Sequence, residues 1–251
     1  MYRYLALIWE PDDSSAAAAA KALALRLQSA AEAWERVVDA RNLLLFHSGA
    51  GCGSSDTRAL AEGAGAVCGT LFPRETTDAE LSDPRAILTR AWGRYVAVLR
   101  EARTGVVRVL RDPTGTLPCF VTRHERVHIV VSDVETCLSL GLRFSVNWRY
   151  IAAYVPYSAL QIRATGLNEI TEVQPGECLT IAAGTAETEL LWSPLDARRR
   201  GLIEDPSAAA AMVREAVRSC VHAWASLHRA VIHNLSGGLD SSIVLSCLVN
   251  A

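Results

Sequence analysis

The chain has 251 residues, half of them apolar, and a formal net charge of −2. That length holds one large domain or two small ones around a substantial core, and the near balance of charge argues against a dedicated nucleic-acid binder or a polybasic membrane protein. Seven scattered cysteines without a CxxC pair, no apolar run of membrane-spanning length and no signal-type N-terminus point to a soluble cytoplasmic protein with buried, reduced thiols.

Residues 2–9 read as an opening strand. Pro11-Asp12-Asp13 breaks it, and Asp13 or Ser14 can cap the helix that follows. That helix is expected to run through the alanine block to about Val38, with Leu23, Leu27, Ala30, Trp34 and Val37 on one face. Residues 43–47 and 66–72 read as strands. Between them, Gly49-Ala50-Gly51-Cys52-Gly53 mimics a dinucleotide fingerprint, but no periodic helix or βαβ unit follows, so it reads as a loop. Short strands are expected at 95–99, 106–110, 120–122 and 127–131, punctuated by the Asp112-Pro113-Thr114-Gly115 turn and the Arg123-His124-Glu125-Arg126 connection. Residues 134–140 and 148–154 look helical, the second capped by Asn147. Pro175-Gly176 introduces a hairpin of 178–181 and 187–191 that turns at Ala183-Gly184. The charged, proline-bounded stretch 193–206 reads as a linker, and 207–228 as a long amphipathic helix with Met212, Val213, Ala216, Val217, Cys220 and Trp224 apolar.

The most informative string follows: Ser236-Gly237-Gly238-Leu239-Asp240-Ser241-Ser242. The apolar, β-branched run 230–235 reads as a strand before it, and 243–248 can begin a helix after it. A strand that turns through paired glycines into a helix makes an anion site, because the backbone can approach a phosphate closely and the first-turn N–H groups point at it. Ser236, Ser241 and Ser242 can donate to phosphate oxygens, and Asp240 sits where a divalent cation bridging phosphates wants a hard oxygen ligand. A Gly-Gly pair alone is most often a plain turn; the full string in this context is far more specific. It is not a Walker loop, since no Gly-Lys-Ser/Thr follows. It resembles the pyrophosphate loop of the ATP-pyrophosphatase superfamily.

Other charged or aromatic residues have plainer readings. His233 reads as a hydrogen-bonded core residue, Arg111 and Asp112 as a surface turn, and Trp92, Tyr95 and Trp148 as core. Arg198-Arg199-Arg200 reads as a solvated linker.

A strand-rich N-terminal part joined to this loop resembles the asparagine synthetase family over most of the chain. Arg111-Asp112-Pro113-Thr114-Gly115 is similar to its Arg-Asp-Pro-x-Gly turn. Ser132-Asp133-Val134-Glu135 matches its serine-and-glutamate helix start, Pro175-Gly176 its hairpin, and Leu191-Trp192 its aromatic strand end. The resemblance implies an α+β, N-terminal-nucleophile-like (αββα) glutaminase-type domain over 1–192 and a linker over 193–206. The beginning of an α/β ATP-pyrophosphatase domain then covers 207–251. A one-stranded parallel sheet buries nothing, so the sequence is expected to be a fragment of a protein roughly twice as long.

Glutamine-hydrolysing members carry a cysteine nucleophile at the second position. Here that position holds Tyr2, a phenol with an ordinary pKa near ~10 and a poor nucleophile at neutral pH. The family's Arg-Gly-Pro and Asn-Gly-Glu glutamine-holding segments have no counterpart; His47-Ser48-Gly49-Ala50-Gly51 stands where the second would fall. The glutaminase is therefore expected to be inactive, and the domain structural or adapted to binding. Members without the cysteine include β-lactam synthetases and lasso-peptide macrocyclases. The strings 4–9, 92–99 and 111–120 look most like the lasso cyclases. That likeness implies ATP and Mg2+ as cofactors and a precursor peptide as substrate, whose Asp or Glu side chain is adenylated and then attacked by its own N-terminal amine. It also implies a leader-peptide protease and a leader-recognition protein as partners. The backbone of Leu235, Ser236, Gly237, Gly238, Asp240, Ser241 and Ser242 would hold ATP, with Asp240 a metal ligand. Residues gripping adenine would lie further along than this sequence extends, so the polypeptide as written is expected to be inactive. Asparagine or β-lactam synthesis by the same chemistry, and a non-catalytic peptide-docking scaffold, stand as alternatives.

Overall fold

The computed structural model describes residues 2–30, 32–49, 56–73, 75–157, 162–199 and 201–249. The chain divides into two compact units, Met1–Ser193 and Pro194–Ala251.

In the first unit, β1 (Arg3–Ile8) leads to α1 (Ser14–Gln28), which Asp13 caps by accepting from the Ala16 N–H at 3.0 Å. The helix stops well short of the expected end at Val38. The chain turns after Gln28 and forms β2 (Glu35–Ala40), which pairs antiparallel with β3 (Leu43–Ser48), Val38 opposite Leu45. Trp34 and Val37 are thus not on a helix: the ladder to β3 wins over an extension of α1, as β-branched Val37-Val38 favours. Next come β4 (Asp56–Ala59), a 3-10 turn (Ala61–Gly63), β5 (Gly65–Phe72) and α2 (Pro84–Arg90). Neither β4 nor α2 is among the expected elements. Strands β6 (Trp92–Arg100), β7 (Val107–Arg111), β8 (Phe120–His124) and β9 (Val127–Val131) form where short strands are expected, but as two hairpins in different sheets rather than one run. Two helices come next, α3 (Val134–Ser139) and α4 (Trp148–Tyr154), the latter capped by Asn147 through the Tyr150 N–H at 3.0 Å. The short β10 (Thr171–Glu172) precedes the hairpin of β11 (Glu177–Ala182) and β12 (Thr185–Leu190), which turns at Ala183-Gly184. Gly176 must be glycine there: its φ is +76°, and a Cβ would stand 2.6 Å from the Trp192 carbonyl oxygen.

These strands make two six-stranded sheets, in the orders β10-β8-β9-β1-β3-β2 and β12-β11-β7-β6-β5-β4, with every named pair antiparallel. Alternation along the strands sends one set of side chains between the sheets and the other outward. Tyr4, Ala6, Ile8, Leu43, Leu45 and Val130 meet Val96, Val98, Val107, Val109, Leu179 and Ile181 in the middle layer. Outside the first sheet, Leu5, Leu7, Phe46 and Ile129 pack on Leu23 and Leu27 of α1 and Cys137 of α3. Outside the second, Val67, Tyr95, Ala97 and Leu110 pack on Ile87 of α2 and on Leu81. The result is the helix–sheet–sheet–helix layering expected.

Burial corrects three aromatic and charged assignments. Tyr95 is core, but Trp148 is 73% exposed and Trp92 is exposed on Phe72, their rings 4.7 Å apart. The expected turn forms, the Asp112 carbonyl accepting from the Gly115 N–H at 3.1 Å, but the side chains of Arg111 and Asp112 are buried rather than at the surface. Cys68, Cys119, Cys137 and Cys178 are buried free thiols, whereas Cys220 is exposed; Cys52 lies outside the described residues.

The second unit holds α5 (Pro194–Arg199), inside the expected linker, then α6 (Pro206–Ala225) and α7 (Leu239–Val249). Arg198 and Arg199 belong to α5; Arg200 lies outside the described residues. Asp205 caps α6, accepting from the Ser207 and Ala208 N–H groups at 3.0 and 3.3 Å. The strand expected over 230–235 does not form, and no strand occurs among the described residues of this unit. A strand needs a neighbour to accept its N–H and C=O ladder, and β-branched composition cannot supply one. Ile232 is fully exposed as a result. No helix is long and apolar enough to cross a membrane among the described residues.

Candidate phosphate-binding loop

The loop at 235–242 lies at the start of α7. Gly237 turns the chain with φ +80°, a conformation open to glycine at little cost, and a Cβ there would meet nothing within 4 Å. The backbone is therefore free to approach a ligand. Leu239 and Asp240 open the helix, with Asp240 exposed in its first turn. The first N–H groups of a helix have no acceptor within it, so an anion at this end meets unsatisfied donors and the positive end of the dipole.

Three serine hydroxyls gather around Gly238. Ser241 Oγ and Ser242 Oγ donate to the Gly238 carbonyl at 3.1 and 2.9 Å. With its proton committed, Ser241 Oγ accepts from Ser236 Oγ at 3.1 Å, and Ser236 Oγ also accepts from the Gly238 N–H at 3.4 Å. Each serine bond is internal to the loop, and each hydroxyl rotates freely enough to exchange that acceptor for a phosphate oxygen. His233 ties the approach segment down: its Nε2 lies 2.8 Å from the Ser241 carbonyl, which only accepts, so Nε2 carries the proton. It is half-exposed, not the core histidine expected. Leu235 is exposed in irregular backbone, not buried at a strand end. The structure thus brings Ser236, Gly238, Ser241 and Ser242 together, with Gly237 making the turn between them and Asp240 one residue from Ser241.

For a divalent cation, Asp240 offers a single carboxylate. Among the described residues no group of three or more His, Cys, Asp or Glu converges on a metal-sized site. An ion of the Mg2+ type takes one or two carboxylates and completes its shell with phosphate oxygens and water, so the Asp240 carboxylate is a donor of the right kind for it.

Tyr2 stands at the head of β1 in the first unit. Its phenol is buried, bonds Thr57 Oγ1 at 2.6 Å, and is pushed to higher pKa by burial and then by the neighbouring Cys68 thiol. Burial likewise pushes Cys68 up to about 12. A phenol held neutral in this way is a weaker nucleophile than the free side chain. His47 joins the same group, Nδ1 at 2.8 Å from Thr57 Oγ1 and Nε2 at 3.2 Å from Glu35 Oε2. Thr57 and Glu35 were missed by the sequence reading; the available signal was a histidine interrupting the apolar run of β3. Ser48 is buried on Glu32, and Gly51 lies outside the described residues.

Arg111 and Asp112 look catalytic by charge but are fully used by structure. Arg111 Nε donates to the Leu117 carbonyl at 2.9 Å, and its terminal nitrogens donate to Glu172 Oε1 at 2.6 Å and to the Val173 and Gly115 carbonyls at 2.7 and 2.6 Å. Asp112 accepts from the N–H groups of Tyr95, Thr114 and Gly115 and from the Thr114 hydroxyl. Burial nonetheless raises its pKa.

Among solved structures, the chain is similar to glutamine phosphoribosylpyrophosphate (PRPP) amidotransferase from B. subtilis complexed with ADP and GMP, at 12% identity and a TM-score of 0.42. It is also similar to a structure described as the allosteric regulatory enzyme of purine biosynthesis, at 11% identity and a TM-score of 0.41. Each match covers 76% of this chain and 49% of the other, so the chain spans about half the length of these structures. No protein-family model matches the chain. No curated protein matches it.

Proposed function

We propose that this chain is part of an ATP-dependent, AMP-forming amide ligase of the asparagine synthetase type, with a glutaminase-like domain that no longer hydrolyses glutamine. The observation that carries the reading is the loop of Ser236, Gly237, Gly238, Ser241 and Ser242 opening α7, with Asp240 in the first helical turn. A free carboxylate does not form an amide at a useful rate, because oxide is too poor a leaving group. Attack by the carboxylate on the α-phosphorus of ATP gives an acyl-adenylate, with pyrophosphate leaving. In that step the loop N–H groups and serine hydroxyls hold the pyrophosphate and stabilise the charge that develops on it. Asp240 would hold Mg2+, which supplies charge neutralisation on the phosphates. The amine then displaces AMP.

The resemblance to lasso-peptide macrocyclases makes the carboxylate an Asp or Glu side chain of a precursor peptide and the amine that peptide's own N-terminus. A leader-peptide protease and a leader-recognition protein would serve as partners. Buried Tyr2, without a nucleophilic thiol at that position, favours an amine other than glutamine-derived ammonia. The test is turnover by the intact protein with Mg-ATP and precursor peptide. AMP and pyrophosphate released in step with ring closure, and lost in Asp240→Ala, are expected. Release of ADP and phosphate, or unchanged turnover in Asp240→Ala, would refute the reading.

A further inference from the structure

In the first unit, four side chains from both sheets meet at one end of the sandwich. Glu35 on β2 and His47 on β3 belong to one sheet; Thr57 on β4 belongs to the edge of the other; Tyr2 precedes β1. The hydrogen bonds run Tyr2 Oη–Thr57 Oγ1 at 2.6 Å, Thr57 Oγ1–His47 Nδ1 at 2.8 Å and His47 Nε2–Glu35 Oε2 at 3.2 Å. Proton counting fixes the direction of the chain. An ionised Glu35 accepts only, so a neutral His47 places its proton on Nε2 and turns the Nδ1 lone pair to Thr57. Thr57 therefore donates its single proton to Nδ1. Its oxygen then accepts from the Tyr2 hydroxyl, which burial keeps protonated. A hydroxyl bonded to an imidazole that is oriented by a carboxylate is the arrangement that activates a nucleophile. Burial supports the roles. His47 is buried, so its ring is held; Thr57 is partly exposed, so an acyl group can reach it; Glu35 opens to solvent at the far end.

We propose that Thr57 is an acyl-accepting nucleophile with His47 as its base, forming a second reactive site independent of the phosphate loop. The substrate class is a small activated ester. As Oγ1 attacks the ester carbonyl carbon, a C–O bond forms and the threonine proton passes to His47 Nδ1. The bond to the leaving alcohol then breaks and that alcohol takes the proton from Nδ1, leaving an O-acyl threonine. Water repeats the sequence: it gives a proton to Nδ1, adds to the acyl carbon, and releases the carboxylic acid as Oγ1 regains the proton. Tyr2 and Glu35 are positioning residues, one donating to Oγ1 and the other fixing the imidazole tautomer.

The experiment treats the full chain with 4-nitrophenyl acetate and, separately, with a fluorophosphonate. Expected are a nitrophenolate burst near one equivalent and a fluorophosphonate mass adduct on the peptide containing Thr57. Thr57→Val should abolish both, and Thr57→Ser should restore them. His47→Gln should slow acylation about 100-fold or more. Glu35→Ala should slow it and Glu35→Asp recover it, a rescue that loss of packing would not give. An adduct at another residue, no burst from the wild-type chain, or a burst that survives Thr57→Val in a variant melting within a few degrees of wild type would overturn the proposal.

Discussion

Replacing Arg111 with methionine tests the packing argument most severely. Arg111 is 4% exposed and donates to three backbone carbonyls and to Glu172, so methionine leaves the carbonyls of Gly115, Leu117 and Val173 without their guanidinium donor. Charge-assisted bonds contribute about 1.5–3 kcal/mol each, but they share one side chain and do not add. Breaking a buried, hydrogen-bonded charge costs about 3–5 kcal/mol. Glu172 keeps some solvent, its side chain 29% exposed, which favours the middle of that range. The expectation is a loss of about 4 kcal/mol, or roughly 8–16 °C in Tm for a unit of this size. Guanidinium titration followed by near-ultraviolet circular dichroism measures it. Arg111→Lys should recover less than half, because an ammonium cannot reach the four acceptors of the guanidinium fork. A loss below about 1 kcal/mol in Arg111→Met, the range of an ordinary surface substitution, would refute the reasoning.

Alkaline pH should destabilise the first unit through its buried thiols. Cys68, Cys119 and Cys137 are each pushed up to about 12 by burial, so between the ordinary thiol value and about 12 only the unfolded chain loses these protons. Stability is fully present below about pH 8.5 and falls above it, by about 1.4 kcal/mol per thiol per pH unit, measured as denaturant midpoints at pH 8 and 10; replacing all three with alanine or valine should flatten the dependence. Gly176→Ala should cost more than about 1 kcal/mol from positive φ alone, with the Trp192 carbonyl contact adding to it, read as a Tm shift. Asp133→Ala removes the cap that accepts from the Thr136 N–H at 2.8 Å and should cost about 1 kcal/mol by the same measurement. Gly237→Ala meets no neighbour but must take up φ +80°, so it should cost about 1 kcal/mol from the backbone alone, without the added clash of Gly176→Ala, while weakening ATP binding in an equilibrium titration of the intact protein.

The strands of the sandwich were legible because burial on both faces writes itself locally: β1, β3, β5 and β9 are near-continuous apolar runs, and β11 and β12 flank a turn of Ala183 and Gly184 at positive φ. Caps were legible for the same reason, since Asp13 and Asn147 act within three residues of themselves. What failed depended on distant partners. Arg111-Asp112-Pro113 has the local chemistry of any turn, and only the bonds from Arg111 to Glu172 and Val173, more than sixty positions later, show that its arginine is buried. The end of α1 was missed because Val37 and Val38 fit a helix face until β3 offers them a ladder. Residues 230–235 failed in the opposite direction: their composition asks for a sheet, and no described strand stands beside them. At the 235–242 loop, the serines and glycines are adjacent in sequence, whereas the tie from His233 to Ser241 is visible only in the structure.

Tyr2 has a firm place in the fold without being set up as a nucleophile. A nucleophile needs access and either an adjacent base or a lowered pKa, and Tyr2 has burial that raises its pKa and a hydroxyl already bonded to Thr57. The same burial adds its ring to the layer between the sheets, edge-on to His47 with centroids 6.5 Å apart. The reactivity proposed for this end of the sandwich therefore lies on the Thr57 oxygen that Tyr2 supports. If both proposals hold, the two sites can be disabled separately, acyl transfer by Thr57→Val and adenylation by Asp240→Ala.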